Sequence, residues 1–298
     1  MEEHATDKYR QVLMESVVTA DDAAVAQNVE EILAKHFAEN DNVEVYKTCF
    51  NAIDLTALNS TDTVESIARM VSRVNDFETD YPQLPPVAAI CVYPNFAMVM
   101  SGTLEVTGVG KAVVAGSFPS SQTFLEIKTT EAALAVADGA TEVDIVFNLG
   151  LYYSGNYEEL ADEIAEIKHA VRDARLKVIL ETGALKTAED IRNASILSMY
   201  SGADFIKTST GKVYPGATLE AAYVMCQAIK EYYEKTGRMV GFKVSGGVSS
   251  TADAVKYYTI VKEVLGEKWL NNEYFRIGTS RAANYILSSI LGEEVKYF

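Results

Sequence analysis

"KVILETGALKTAEDIRNASILSMYSGADFIKTSTG" (177–211) places two short apolar runs on either side of a helical pattern. Residues 177–184 and 205–211 are β-prone and close on Gly, Ser and Thr, whereas 187–201 carries its apolar residues at helical spacing. A strand, a helix and a second strand in this order form a crossover unit, which joins parallel strands.

The rhythm repeats in both directions. Further strand runs fall at 48–56, 87–94, 111–119, 141–149, 240–247 and 274–280. Helical patterns occupy 62–75, 95–106, 123–138, 157–173, 217–236, 251–265 and 281–291. Eight strand–helix units over about 250 residues predict an α/β chain folded as a (β/α)8 TIM barrel. A doubly wound open sheet is the alternative, and it rarely reaches eight such regular units. Residues 1–48 stand apart as an N-terminal helical extension, which leaves 49–298 as the barrel catalytic domain. In the extension, Val25, Val29, Ile32, Leu33 and Phe37 lie at helical spacing behind Asp21 or Asp22 as N-cap. That apolar stripe calls for a cover, either the main domain or a second copy in a homodimer.

Composition narrows the function. With 48% hydrophobic and 23% charged residues, the 298-residue chain has the make-up of a soluble globular protein. A net charge of −16 argues against nucleic acid as a partner, and it requires any phosphate to be gripped by a few local groups. No apolar run approaches the ~18 residues of a membrane span, and the start "MEEHATDKYRQ" lacks the pattern of a signal peptide. Cys49, Cys91 and Cys226 are scattered, as expected in a reducing, cytoplasmic setting.

The polar interruptions of the strand runs gather near their C-terminal ends, where the βα loops of a barrel surround one axial cavity. Asp54, Asp144, Glu181, Lys207 and Lys243 are thereby expected together. Lys207 and Lys243 hold equivalent places on successive strands. Two ammonium groups in a low-dielectric cavity favour a neutral amine, with shifts of up to ~3–5 units for buried groups. A neutral lysine attacks carbonyl carbon, and Asp144 is placed to move the protons. A structural salt-bridge network would use the same residues, so architecture alone leaves both readings open.

Lys212 follows "TSTG", and the loops "SGGVSS" (245–250) and "IGTSRA" (277–282) follow strands seven and eight. Glycine loops at those two positions commonly bind phosphate at a helix N-terminus, although ordinary turns use the same residues. The histidines give no metal or hydrolase pattern: His4 is terminal, and His36 and His169 fall in helical patterns. HxH, HExxH, GxGxxG and P-loop motifs are absent from the sequence, so neither metal nor cofactor is expected. Cys91 reads as an inert buried thiol.

"IDLTALN", "EVDIVFNLG", "KVILETGAL", "GADFIKTSTGK", "GFKVSGGV" and "FRIGTS" together resemble the deoxyribose-phosphate aldolase family, in order, over residues 49–291. The resemblance implies a metal-free class I aldehyde-lyase on a (β/α)8 barrel, acting in deoxyribonucleotide and carbohydrate catabolism. Its reaction would be reversible cleavage of 2-deoxy-D-ribose 5-phosphate to D-glyceraldehyde 3-phosphate and acetaldehyde. On that resemblance Lys207 forms the Schiff base, Lys243 lowers the pKa of that amine, and Asp144 relays protons. Lys212, Gly246, Gly247, Gly278 and Ser280 match positions around the phosphate. Asp54, Thr56, Cys91 and Thr210 match positions near the sugar or the catalytic groups. Many members carry a basic residue where this chain has Ser249, and Arg281 is the candidate to compensate. The alternatives are a class I aldolase or transaldolase on another sugar phosphate, and a non-catalytic barrel that binds a phosphorylated ligand.

Overall fold

The computed structural model describes residues 8–298; His4 and most of the N-terminal stretch read above lie outside them. Helices α1 (Lys8–Met14), α2 (Asp22–Asn40) and α3 (Val43–Asn51) precede the first strand. The strands are β1 (Ile53–Thr56), β2 (Ala89–Val92), β3 (Gly110–Ala115), β4 (Glu142–Val146), β5 (Arg175–Ile179), β6 (Phe205–Lys207), β7 (Gly241–Ser245) and β8 (Phe275–Thr279). All neighbours pair in parallel, and β8 returns to β1, so the sheet closes in sequence order. This is the predicted barrel.

Between and after the strands run α4 (Val64–Asp80), α5 (Ala97–Thr103), α6 (Leu125–Ala137), α7 (Leu149–Tyr153), α8 (Tyr157–Val171), α9 (Ala188–Tyr200), α10 (Leu219–Thr236), α11 (Thr251–Leu265) and α12 (Ala282–Leu291). Their starts are written locally. Thr63, Thr187, Thr218 and Ser250 cap α4, α9, α10 and α11, each accepting a hydrogen bond from the backbone of the first turn. The strands β2, β4 and β7 are buried at every position, as strands covered by helices on one face and barrel interior on the other must be.

Two readings change. The run 48–56 is strand only from Ile53; Thr48–Asn51 finish α3, which Asn42 caps through the N–H groups of Glu44 and Val45. Val45 and Cys49, four residues apart, bury one helical face there, and that packing overrides the β-prone composition. Helix α3 therefore runs across the expected boundary at residue 48. The stripe on α2 is covered by this chain itself: Asp21 caps the helix, and Val25 and Val29 are buried where α2 packs on α10 and α11. Ile32, Leu33 and Phe37 of the same stripe pack on this core while staying partly exposed.

Candidate active site

The barrel interior is divided into two halves. On the β2–β3 side it is apolar, filled by Ala89, Cys91, Ala112 and Val114 under Leu58, Tyr93 and Phe118. On the opposite side, β1 and β4 to β8 contribute seven ionisable side chains, each at most 3% exposed: Asp54, Glu142, Asp144, Lys177, Lys207, Lys243 and Arg276.

Asp144 is the hub. Its Oδ2 accepts from Lys207 Nζ at 2.9 Å and from Lys243 Nζ at 2.8 Å, while Oδ1 accepts from Lys177 Nζ at 2.8 Å. Register explains the convergence: Lys207 lies beside Lys243, and Asp144 lies beside Lys177. Below them Lys177 Nζ is 2.6 Å from Glu142 Oε2. Lys243 also reaches Asp54 Oδ2 at 2.5 Å, and Arg276 joins Asp54 Oδ1 at 2.6 Å to Glu142 at 2.9 and 3.1 Å. Gly278 makes room for this arrangement, since a methyl group there would stand 3.1 Å from Lys243 Cε.

The protonation states differ by partner. Burial and then the Lys243 cation pull Lys207 below the ordinary lysine value, against the attraction of Asp144. Burial also disfavours charge on Lys243, but Asp144 and Asp54 together outweigh it and hold Lys243 above that value. At Asp144, burial is likewise overcome, here by Lys177, Lys207 and Lys243, so its carboxyl sits well below the usual range. One lysine is thus set toward the free amine and its neighbour toward the cation. That is the division a nucleophile and a proton donor need.

Beyond this network, past Ser245 and Gly278 at the ends of β7 and β8, opens a cavity of about 480 Å³, whose lining includes none of Asp144, Lys207 and Lys243. Thr56, Thr210, Lys212, Gly246, Gly247, Gly278 and Ser280 all line it, as do Ser249, Arg281 and Tyr285. Lys212 spans the mouth to the carbonyl of Leu58, joining the β6 loop to the β1 loop. Gly246 and Gly247 have φ of +72° and +85°, which only glycine adopts without strain, and the Gly216 backbone lies against Gly246. Ser249 turns to Asp253, donating from N at 3.1 Å and Oγ at 2.9 Å, so Arg281 is the guanidinium at this wall.

Of the five residues expected together, Asp54 joins Lys243 in the network and only Glu181 sits elsewhere. Asp54 and Cys91 are fully enclosed and do not face the cavity. Asp54 has both oxygens taken by Lys243 and Arg276, and burial raises the Cys91 thiol. Glu181 does not join the lysines. Just past β5 the backbone turns with Glu181 at φ +58°, aiming its carboxylate at Thr210, whose N–H and Oγ1 donate at 3.1 and 2.5 Å. The sequence pattern does not single out Glu142, Lys177 or Arg276. Glu142 is two residues before Asp144, hence on the same strand face, and that spacing was the available signal.

Among the described residues, the one His/Cys/Asp/Glu group with metal-like spacing is His36, Glu39 and Glu263, which joins α2 to α11. Its side chains already pair, with Nδ1 of His36 3.0 Å from Glu39 and Nε2 3.4 Å from Glu263.

The sequence model of the DeoC/LacD aldolase family matches residues 48–260. The chain belongs to that family. The human protein named deoxyribose-phosphate aldolase is 41% identical over 243 residues, covering 76% of this chain and 75% of its own. The mouse protein of that name is 36% identical over 281 residues, covering 89% and 87%. The deoxyribose phosphate aldolase from Aeropyrum pernix, described as a unique tetrameric structure, aligns with a TM-score of 0.64 at 26% identity, over 87% of this chain and 95% of its own. This chain is accordingly an aldolase, a carbon–carbon lyase. Among the described residues no helix is long and apolar enough to cross a membrane.

Proposed function

We propose that the enzyme reversibly cleaves 2-deoxy-D-ribose 5-phosphate to D-glyceraldehyde 3-phosphate and acetaldehyde, through a Schiff base on Lys207. One observation carries the reading: a buried lysine, drawn toward its neutral form, sits beside a charged lysine and a shared aspartate on strands whose following loops, with Lys212 and two glycine turns, line a cavity. The names of the relatives point to this substrate. An enzyme of deoxynucleoside sugar salvage in the cytoplasm, with 49–298 as its catalytic unit, is the physiological setting that fits.

The amine of Lys207 adds to the aldehyde carbon, and the carbinolamine loses water to give an iminium. That cation draws the electrons of the C2–C3 bond as the C3 hydroxyl proton leaves, which releases glyceraldehyde 3-phosphate and an enamine. Protonation of the enamine and addition of water return acetaldehyde and the free amine. Asp144 and Lys243 move these protons as a pair, since Lys243 and Lys207 both donate to one oxygen of Asp144. Lys212, Arg281 and the loops at Gly246 and Gly278 hold the phosphate end, which solves the problem of binding an anion to a protein of charge −16.

Incubation with 2-deoxyribose 5-phosphate should release acetaldehyde and glyceraldehyde 3-phosphate in equal amounts and withstand chelation. Cleavage of a different sugar phosphate, with this one untouched, would move the assignment to another class I aldolase.

A further inference from the structure

The buried network does not balance. It holds four basic side chains, Lys177, Lys207, Lys243 and Arg276, against three carboxylates, Asp54, Glu142 and Asp144. Arg175 approaches Glu142 at 3.6 Å from the lower rim, but it is itself paired with the exposed Glu273, so that couple adds no net charge. In a medium where isolated charge is costly, one proton of the four is surplus.

Position decides which one. Arg276 keeps its proton under all ordinary conditions. Lys243 touches two carboxylates and Lys177 two closely, with Asp54 a third at 3.8 Å, whereas Lys207 touches one carboxylate oxygen that Lys243 already shares. Lys177 is fully enclosed, and it also occupies the other oxygen of Asp144. Without that contact Asp144 would present undivided charge to Lys207.

We propose that Lys177 is a positioning residue whose buried charge, shared between Asp144 and Glu142, creates the one-proton surplus that leaves Lys207 as the free amine. This rests on Lys207 forming the Schiff base. The groups that act on Lys207 are Asp144 on β4, Lys243 on β7 and the un-ionised Cys91 on β2. Behind them stand Lys177, Asp54, Glu142 and Arg276. Glu181 at the end of β5 is bound to Thr210, and Lys212 and Arg281 lie at the cavity mouth. Lys177 reaches neither the cavity nor substrate, so it acts through the charge of others.

The charge count makes opposed predictions for two neighbours. In Lys177→Met three cations face three carboxylates, and Lys207 retains its proton to higher pH. In Glu142→Gln four cations face two carboxylates, and Lys207 loses its proton at lower pH. In the double variant three face two, and the surplus of one returns. The test measures, across pH, the rate at which acetaldehyde with cyanoborohydride alkylates Lys207, located by mass spectrometry.

Lys177→Met should move the rising limb at least one pH unit upward, about tenfold slower at a fixed pH on that limb. Glu142→Gln should move it downward, and the double variant should lie close to the unmodified enzyme. Because the double variant removes both members of a buried pair, it keeps the test open if either single variant fails to fold. Limbs that stay in place while amplitudes fall, or a double variant displaced as far as its worse parent, would overturn the proposal. An unmodified enzyme that is not alkylated at Lys207 would instead overturn the Schiff-base reading on which it stands.

Discussion

Two fully buried lysines of this molecule live in opposite circumstances. Lys128 on α6 lies between the helices outside the barrel, 2.7 Å from Glu163 on α8 and 2.9 Å from Ser121 Oγ, while Asn148 donates to the other oxygen of Glu163 at 3.2 Å. One cation meets one anion, and neutral groups satisfy what is left. Lys207 on β6 shares a single carboxylate oxygen with a second lysine, inside a network with one base too many. Burial is the same, and the bookkeeping of charge differs. The first arrangement ties the loops after β3 and β4 to the helix layer. The second holds an amine ready to react. A buried lysine therefore points to chemistry only once its partners have been counted.

Substitutions should separate the two. Lys207→Leu should lower turnover by on the order of 10⁴-fold or more, as loss of a covalent nucleophile does, with the fold intact by circular dichroism. Asp144→Asn should cost about 10²–10⁴-fold in kcat, the usual worth of positioned proton transfer. It also removes the hub that three lysines share, so its melting temperature should fall as well. Lys128→Met should do the reverse. It strands Glu163 and should cost about 3–5 kcal/mol in denaturant unfolding, without moving the pH profile of the remaining activity.

Stability against pH gives a further division. The Asp54 and Asp144 carboxyls, pulled down by the cations around them against the effect of burial, are held below their ordinary 3.8. A depressed acid contributes stability that is complete above its unfolded value and disappears as pH falls through its folded value. Acid unfolding of the enzyme should therefore steepen from about pH 4 downward, and less so in Asp144→Asn. Lys207 has the opposite sign. Its lowered value means that the unfolded chain binds the proton more readily, so its share of stability rises with pH up to the ordinary 10.5. Melting temperatures across pH, compared with Lys207→Leu, would reveal that slope. The smallest effect is expected at the cavity mouth, where Arg281→Ala should raise KM severalfold and leave kcat nearly unchanged, in line with the ~0.2–1 kcal/mol of an exposed ion pair.

The architecture was legible because strand and helix periods alternate without interruption from β2 to α12. Lys207, Lys243 and Asp144 were legible because each charge interrupts an apolar run. The rest was hidden for physical reasons. Lys177 has only Leu176 between it and the polar stretch ending at Arg175, and so resembles an ordinary polar border. Glu142 sits two residues before Asp144 on β4 and Arg276 is the register partner of Lys243, and only the closed sheet brings the two together. Glu181 was misplaced because a non-glycine residue at positive φ leaves no mark in sequence. Nor does sequence place the C-terminal Tyr297, which donates to Asp80 at 2.9 Å, packs on Phe77 and Tyr81 and does not line the cavity.

The most direct test of the account is reductive trapping. The enzyme, incubated with acetaldehyde or 2-deoxyribose 5-phosphate and then borohydride, should yield a stable adduct on Lys207, none on Lys128, Lys177 or Lys243, and none at all in Lys207→Leu. A folded enzyme that cleaves its substrate while no lysine is modified would contradict it.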